Sequence, residues 1–238
     1  MHRVRKMHLK LCYKAADATW VVTDSIRDAM RKAFGLSNIY TLENTIDCKE
    51  ILSKASAYTP PNMTSECFYF VMVGRISHEK GYQKALRAFH QLKTDIPCKL
   101  IIVGDGPERD SLETYVRDNH LENQVVFTGF QSNPYPYIRC ANAMIQPSLY
   151  ESFGLTMLEA MVLRTHVITT STIGGIRVTN NGKYGLIVDH TEEAVLRGLE
   201  TALLPNAFTE EDCEQAYHWA LSFDLPHFKR QLYQLLEM

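Results

Sequence analysis

Charge of one sign is what this sequence lacks most plainly: 25 Lys+Arg stand against 27 Asp+Glu in 238 residues, a formal net charge of −2. A dedicated nucleic-acid binder carries a strong basic excess, so no nucleic-acid partner is expected. Cysteine is sparse and irregular. Cys12, Cys48, Cys67, Cys98, Cys140 and Cys213 form no C-x-x-C pair, which reads as reduced thiols in a cytosolic protein. No apolar segment of signal-peptide type stands behind Met1-His2-Arg3-Val4-Arg5-Lys6. The apolar run Phe68–Val73 is far too short to span a bilayer. The expectation is a cytoplasmic protein with at most peripheral contact at the inner face of a membrane. Arg3, Arg5, Lys6, Lys10 and Lys14 precede the first acid, Asp17; they could touch anionic lipid, although a solvated helix face is the simpler reading. His78, His90, His120, His166 and His190 do not pair at metal-ligand spacing, so no metal site is assigned. There is no G-x-S-x-G elbow, no Cys/His nucleophile motif, no Walker A lysine and no internal repeat.

What is present is ordinary globular composition, 45% hydrophobic and 22% charged, in a chain long enough to bury a core without disulfides or metal. Residues 7–18 suggest a helix and Thr19–Thr23 a strand. Thr23, Asp24 and Ser25 offer caps to a helix over Ile26–Phe34, Gly35 stops it, and Ile39–Leu42 is a second short strand. Two prolines among Ser, Thr and Asn mark 48–67 as a linker.

Beyond it, strands alternate with helices. Strands are expected at Phe68–Val73, Lys99–Val103, Gln124–Thr128, Ala143–Gln146, Thr165–Thr169 and Gly185–Val188. Helices are expected at Gly81–Leu92, Glu108–Asn119, Pro136–Ala141, Phe153–Leu163 and Glu192–Leu204. Continuous apolar strands alternating with helices mean βαβ units around a parallel sheet. The fold class is therefore α/β. Residues 1–47 are an incomplete α/β fragment, 68–204 a complete α/β domain and 205–238 a helical tail, with Pro226 dividing its two helices.

Four loops carry polar chemistry. Val73-Gly74-Arg75-Ile76-Ser77-His78-Glu79-Lys80-Gly81 puts two cations just past a strand end, where open α/β sheets bind ligands. Arg75 and Lys80 suit a diphosphate, and on spacing alone a solvated turn explains them as well. Val103-Gly104-Asp105-Gly106-Pro107-Glu108 lacks the third glycine of a dinucleotide fingerprint and reads as structural, with Pro107 starting a helix. In Glu151-Ser152-Phe153-Gly154-Leu155-Thr156-Met157-Leu158-Glu159, Ser152 is the expected N-cap. The N–H groups of Phe153, Gly154 and Leu155 would then face an anion. Glu151 and Glu159 are carboxylates of the kind that accept sugar hydroxyls; a dipole-favouring acid and a partnered helix Glu are the competing readings. Thr128-Gly129-Phe130-Gln131-Ser132-Asn133-Pro134-Tyr135 could hold a base with backbone groups and a ring, or be an ordinary loop.

Taken in order, these pieces resemble the retaining GT-B glycosyltransferases of the "glycosyl transferases group one" family, or family four. The match runs through Gly74-Arg75 with Glu79-Lys80-Gly81, Gly104–Glu108, Thr128-Gly129-Phe130, Pro147-Ser148, the E-x7-E of Glu151 and Glu159, and Gly185–Val188. The resemblance implies a Rossmann-like parallel sheet, the C-terminal domain of GT-B, preceded by a remnant of the acceptor domain. It implies that Arg75 and Lys80, beside Gly74, hold a donor diphosphate, and that the amides of Phe153, Gly154 and Leu155 cap phosphate and sugar. Glu151 would bind donor-sugar hydroxyls, Glu159 the ribose, and Phe130 would lie near the base. The catalytic residues would be Glu151, Arg75 and Lys80, with a UDP- or GDP-sugar as donor, a glycan or lipid-linked acceptor, and no metal or other cofactor. Arg164 and His166 replace the family's usual small residue and proline, and Val178 an acidic residue.

Most of the acceptor domain has no counterpart here. That keeps a second reading open, a non-catalytic sugar-nucleotide-binding half completed by a separate acceptor-domain chain, and it leads to an expectation of self-association. A sugar-nucleotide epimerase of the same fold is a third reading, less consistent with E-x7-E.

Overall fold

The computed structural model describes residues 2–61, 63 and 66–237, and for residues 2–7 the backbone alone. The side chains of Arg3, Arg5 and Lys6, and Asn62, Thr64 and Ser65 of the expected linker, lie outside the described residues.

The chain begins with α1 (His2–Ala15), β1 (Thr19–Val21), α2 (Asp24–Phe34) and β2 (Ile39–Thr41). Thr23 caps α2 by accepting from the Ile26 N–H, and Gly35 ends it in the left-handed conformation with its N–H on the Arg31 carbonyl. β1 and β2 pair in parallel, and Val21, Leu36 and Ile39 form a small core with them. Leu9, Leu11 and Trp20 remain exposed.

Next come α3 (Cys48–Ala55), β3 (Phe68–Val73), α4 (Tyr82–Gln91), β4 (Cys98–Val103), α5 (Arg109–Asp118), β5 (Val125–Gly129), α6 (Tyr135–Cys140), β6 (Ala143–Gln146), α7 (Leu155–Val162), β7 (His166–Thr170), α8 (Ile173–Val178), β8 (Leu186–Val188) and α9 (Glu192–Ala202). The tail adds α10 (Glu210–Ala220) and α11 (Leu225–Leu236), which Asp224 caps and Pro226 helps to start.

Strands β3 to β8 form one parallel sheet in the order β5-β4-β3-β6-β7-β8. This is the Rossmann-like α/β fold the sequence implied. Both faces are covered. Phe70, Met72, Leu100 and Ile102 pack beneath α4, α5 and α9, while Val71, Ile101 and Met144 pack beneath α3, α6, α7 and α10. Each fully buried side chain of this kind contributes about 1.5–3 kcal/mol. Among the described residues no helix is long and apolar enough to cross a membrane.

Three local expectations are corrected. The first half of the 48–67 linker is helix α3, whose Cys48, Ile51 and Ala55 are buried; its polar Ser and Lys occupy the outer face. Helix α8 interrupts what read as a direct strand-to-strand connection. Its Gly174 and Gly175 look like breakers, yet Gly174 is where the helix presses on the Phe153 backbone. Helix α7 starts two residues later than expected, with Gly154 rather than Ser152 at its N-cap and no side-chain cap.

Candidate functional site

The strand order reverses between β3 and β6, the neighbours from which the chain winds outward in both directions. A parallel sheet opens a crevice at the carboxyl ends of such a pair. The loop after β3 carries Gly74, Arg75 and Lys80; the loop after β6 carries Pro147, Ser148 and Glu151. The two loops are locked together. Leu149 N–H donates to the Glu79 carbonyl at 2.8 Å. Gly81 has φ +68°, and a Cβ there would stand 2.1 Å from the Pro147 carbonyl oxygen.

The Gly104 loop buttresses this arrangement. Gly74 N–H donates to Val103, Ile76 N–H to Asp105 and Glu108 N–H to Ile76. The buried Tyr82 hydroxyl donates to the Gly74 carbonyl at 3.1 Å, and burial pushes its phenol well above the usual range. The structural reading of Gly104–Glu108 thus accounts for its glycines: they let it lie against the loop that carries Arg75.

Arg75 is exposed and makes no ion pair among the described residues. It lines a cleft of about 570 Å³ with Gly74, Gly104, Asp105, Phe130 and Pro134. Phe130, which lines the cleft, is 76% exposed. Lys80 lies at the other end of the same loop, its Nζ 2.7 Å from Oε2 of Glu151.

The N–H groups of Phe153, Gly154 and Leu155 have no hydrogen-bond partner among the described residues. They lie at the start of α7, where the helix leaves donors unsatisfied. Glu151 and Glu159 do not touch each other. Glu151 accepts from Lys80 and from the Gln146 amide at 3.1 Å. Glu159 accepts from the Tyr135 hydroxyl at 3.4 Å. Burial raises the Glu159 carboxyl above its ordinary value, and the Tyr135 bond partly offsets this. Burial, then the Glu159 charge, pushes the Tyr135 phenol up to about 12, so the hydroxyl stays a donor.

Sequence reasoning placed Gln146 only as the end of a strand and Tyr135 only in the loop that could hold a base, and gave neither its partner. The signal for Gln146 was an amide closing an apolar central strand; for the Tyr135–Glu159 bond there was none short of the fold. The departures Arg164 and His166 sit at the amino end of β7, away from the crevice. Arg164 pairs with Glu214 at 2.7 Å, and His166 stacks on Phe208 at 4.2 Å between ring centres. Val178 is buried, and the neighbouring Arg177 grips Glu43 by two arms, one of 2.7 Å.

The model of the family described as "Glycosyl transferases group 1" matches residues 61–218. The chain is 27% identical over 225 residues to the N-acetylgalactosamine-N,N'-diacetylbacillosaminyl-diphospho-undecaprenol 4-alpha-N-acetylgalactosaminyltransferase of Campylobacter jejuni, covering 93% of this chain and 60% of that protein. It is 28% identical over 209 residues to the 2-deoxystreptamine N-acetyl-D-glucosaminyltransferase of Niallia circulans, covering 79% of this chain and 47% of that protein. The solved structure of Anabaena HepE in complex with UDP superposes with a TM-score of 0.88 at 19% identity, covering 100% of this chain and 68% of that one. The chain thus spans no more than 60% of the length of these two curated relatives.

Proposed function

The chain belongs to the glycosyl transferases group 1 family, and on that footing we propose that it binds a UDP- or GDP-sugar in the β3/β6 crevice. We propose further that it transfers the sugar, with retained anomeric configuration, to a glycan or lipid-linked acceptor. The observation that carries this reading is the convergence on one crevice of Arg75, Lys80, three unpaired amide donors and Glu151.

In this reading the base lies against Phe130 in the 570 Å³ cleft. Glu159 accepts from the ribose and Arg75 meets the diphosphate. Lys80 leaves Glu151 to meet it too. Transfer breaks the bond between the anomeric carbon and the diphosphate oxygen, and the electron pair leaves with the diphosphate. The acceptor oxygen bonds the same face of that carbon, and its proton passes to the departing oxygen. Arg75, Lys80 and the amides of Phe153, Gly154 and Leu155 stabilise the growing negative charge, so no metal is needed to do so. The relatives support the reading by name: those above are sugar transferases, and HepE was solved with UDP.

The test is calorimetric titration with UDP, GDP and ADP in the presence of EDTA, repeated on Glu159→Ala. Base-selective binding that the variant loses is the expected result. No binding of any nucleotide by the native chain overturns the donor site.

A second reading has its own support. β1 and β2 pair only with each other among the described residues, and Trp20 beside them is 38% exposed. We propose as the alternative a donor-binding half completed by a separate acceptor-domain chain. Transfer that appears only on mixing the two chains selects it; transfer by this chain alone excludes it.

A further inference from the structure

Gln146 closes β6 and is 3% exposed, a buried carboxamide in a strand otherwise made of Ala143, Met144 and Ile145. A buried amide must satisfy both N–H donors and its oxygen. Its Nε2 donates to Ser148 Oγ at 3.0 Å and to Glu151 Oε2 at 3.1 Å, and its Oε1 accepts from Thr156 Oγ1 at 3.5 Å. The opposite amide orientation would turn Oε1 toward a carboxylate, so the network fixes which end faces Glu151. The backbone beneath is pinned as well. Thr169 Oγ1 donates to the Gln146 carbonyl at 3.2 Å and Thr170 Oγ1 to the Ser148 carbonyl at 2.5 Å, and both threonines are buried.

Glu151 Oε2 therefore accepts from two donors, Lys80 and Gln146. Its Oε1 has no partner among the described residues. A carboxylate oxygen offers about two lone pairs, which leaves Oε1 as the oxygen open to a ligand. Lys80 can go to a phosphate; Gln146, buried behind the loop, cannot.

We propose that Gln146 is the positioning residue for Glu151: it holds Oε2 in place when Lys80 turns to the donor's diphosphate, so that Oε1 is the atom that accepts hydroxyls of the donor sugar. This rests on the donor reading above, and the experiment separates the two. The near-isosteric Gln146→Met removes the amide and keeps the volume. Thr156→Val, which loosens the amide from its other side, serves as the second variant.

The first readout needs no ligand. The Glu151 carboxylate is followed by carbon-13 NMR at pH 7, its signal assigned by its loss in Glu151→Gln. Losing the amide donor shifts and broadens that signal in Gln146→Met, and less in Thr156→Val. An unchanged signal in Gln146→Met overturns the proposal.

The second readout is calorimetry with UDP against UDP-glucose and GDP against GDP-mannose. Gln146→Met is expected to weaken the sugar nucleotide about 10-fold while the bare nucleotide changes less than about 3-fold, the loss of roughly one hydrogen bond to a charged group. Equal weakening of both overturns the proposal, since a merely structural role affects both alike. If the native chain binds none of the four, the donor reading falls and the Glu151 carboxyl signal alone decides the role of Gln146.

Discussion

Lys80 and Glu151 meet at 2.7 Å across the crevice between β3 and β6, each carried by the loop that leaves the carboxyl end of its strand. Their side chains are 27% and 14% exposed, so the pair is shielded but reachable. In the proposed reading Lys80 also meets the donor's diphosphate, so a charged ligand must compete with Glu151 for Lys80, and the carboxylate would repel phosphates placed beside it.

Glu151→Gln should therefore separate nucleotide from sugar. Removing the competing charge frees Lys80, so bare UDP or GDP binds tighter by about 5-fold, on the order of 1 kcal/mol for such a charge at intermediate dielectric. The additional affinity of the sugar nucleotide falls, because Gln146 and Lys80 no longer hold a carboxylate. Calorimetry on the four ligands checks this. Weaker binding of the bare nucleotide in Glu151→Gln shows instead that Glu151 supports the diphosphate directly.

Arg75 tests the same crevice from the opposite side. It is exposed and makes no ion pair or hydrogen bond among the described residues, so Arg75→Ala should leave the melting temperature nearly unchanged. A charge-assisted bond to phosphate contributes about 1.5–3 kcal/mol, so nucleotide affinity should fall roughly 10- to 100-fold. A drop in melting temperature with unchanged affinity assigns Arg75 to the fold and removes it from the site.

Glu159 links the site to pH. Burial raises its folded-state value above the ordinary 4.5, so the folded protein binds its proton more readily than the unfolded chain does. The sign follows from linkage: this group's penalty on stability is absent below about 4.5 and grows as pH rises through the raised value. Glu159→Gln should melt higher than the native chain at neutral pH, and the difference should vanish toward pH 4. Nucleotide affinity should move the other way, because the amide lacks the charge that accepts the ribose hydroxyls. Thermal melts across this range, paired with calorimetry at neutral pH, test both halves. A destabilised variant at neutral pH contradicts the assignment.

The parts legible in the sequence were those governed by local rules. Phe68–Val73 and Lys99–Val103 read as strands because two-sided burial demands unbroken apolar runs, and Thr23 and Gly35 mark the ends of α2 because cap chemistry is local. The places of Arg75, Lys80, Glu151 and Phe153 in the loops after β3 and β6, and of Glu159 on α7, were legible from the same alternation. What escaped depended on contacts that no spacing announces. Ser152 has the chemistry of an N-cap, but Gly154, with φ 93°, makes the turn instead. Helix α8, with Gly174 and Gly175 in its first turn, gives no local signal, and the Phe153 backbone that Gly174 presses on belongs to another loop. Gln146 meets Ser148 and Glu151 in the turn that follows it and Thr156 on α7, and Tyr135 meets Glu159 on α7. Glu43 lies 134 residues from the Arg177 it pairs with.

The last prediction concerns the Gly104 loop, which read as structural. Gly104 has φ +148°, and a Cβ there would lie 1.9 Å from the Gly74 carbonyl oxygen. Backbone on both sides leaves no flexible side chain to give way, so Gly104→Ala must push the Gly74–Arg75 segment off β4 or distort the strand end. The hydrogen bonds from Gly74 to Val103 and from Ile76 to Asp105 both cross this contact. Overpacking of this kind costs about 1–3 kcal/mol, and the strained φ adds to it. Urea denaturation should show that loss. In the fraction that remains folded, nucleotide affinity should fall about as far as in Arg75→Ala, since the guanidinium is carried on the displaced segment. If Gly104→Ala lowers stability while the folded protein binds nucleotide normally, the two loops are coupled only through stability, and Arg75 reaches its ligand without the buttress.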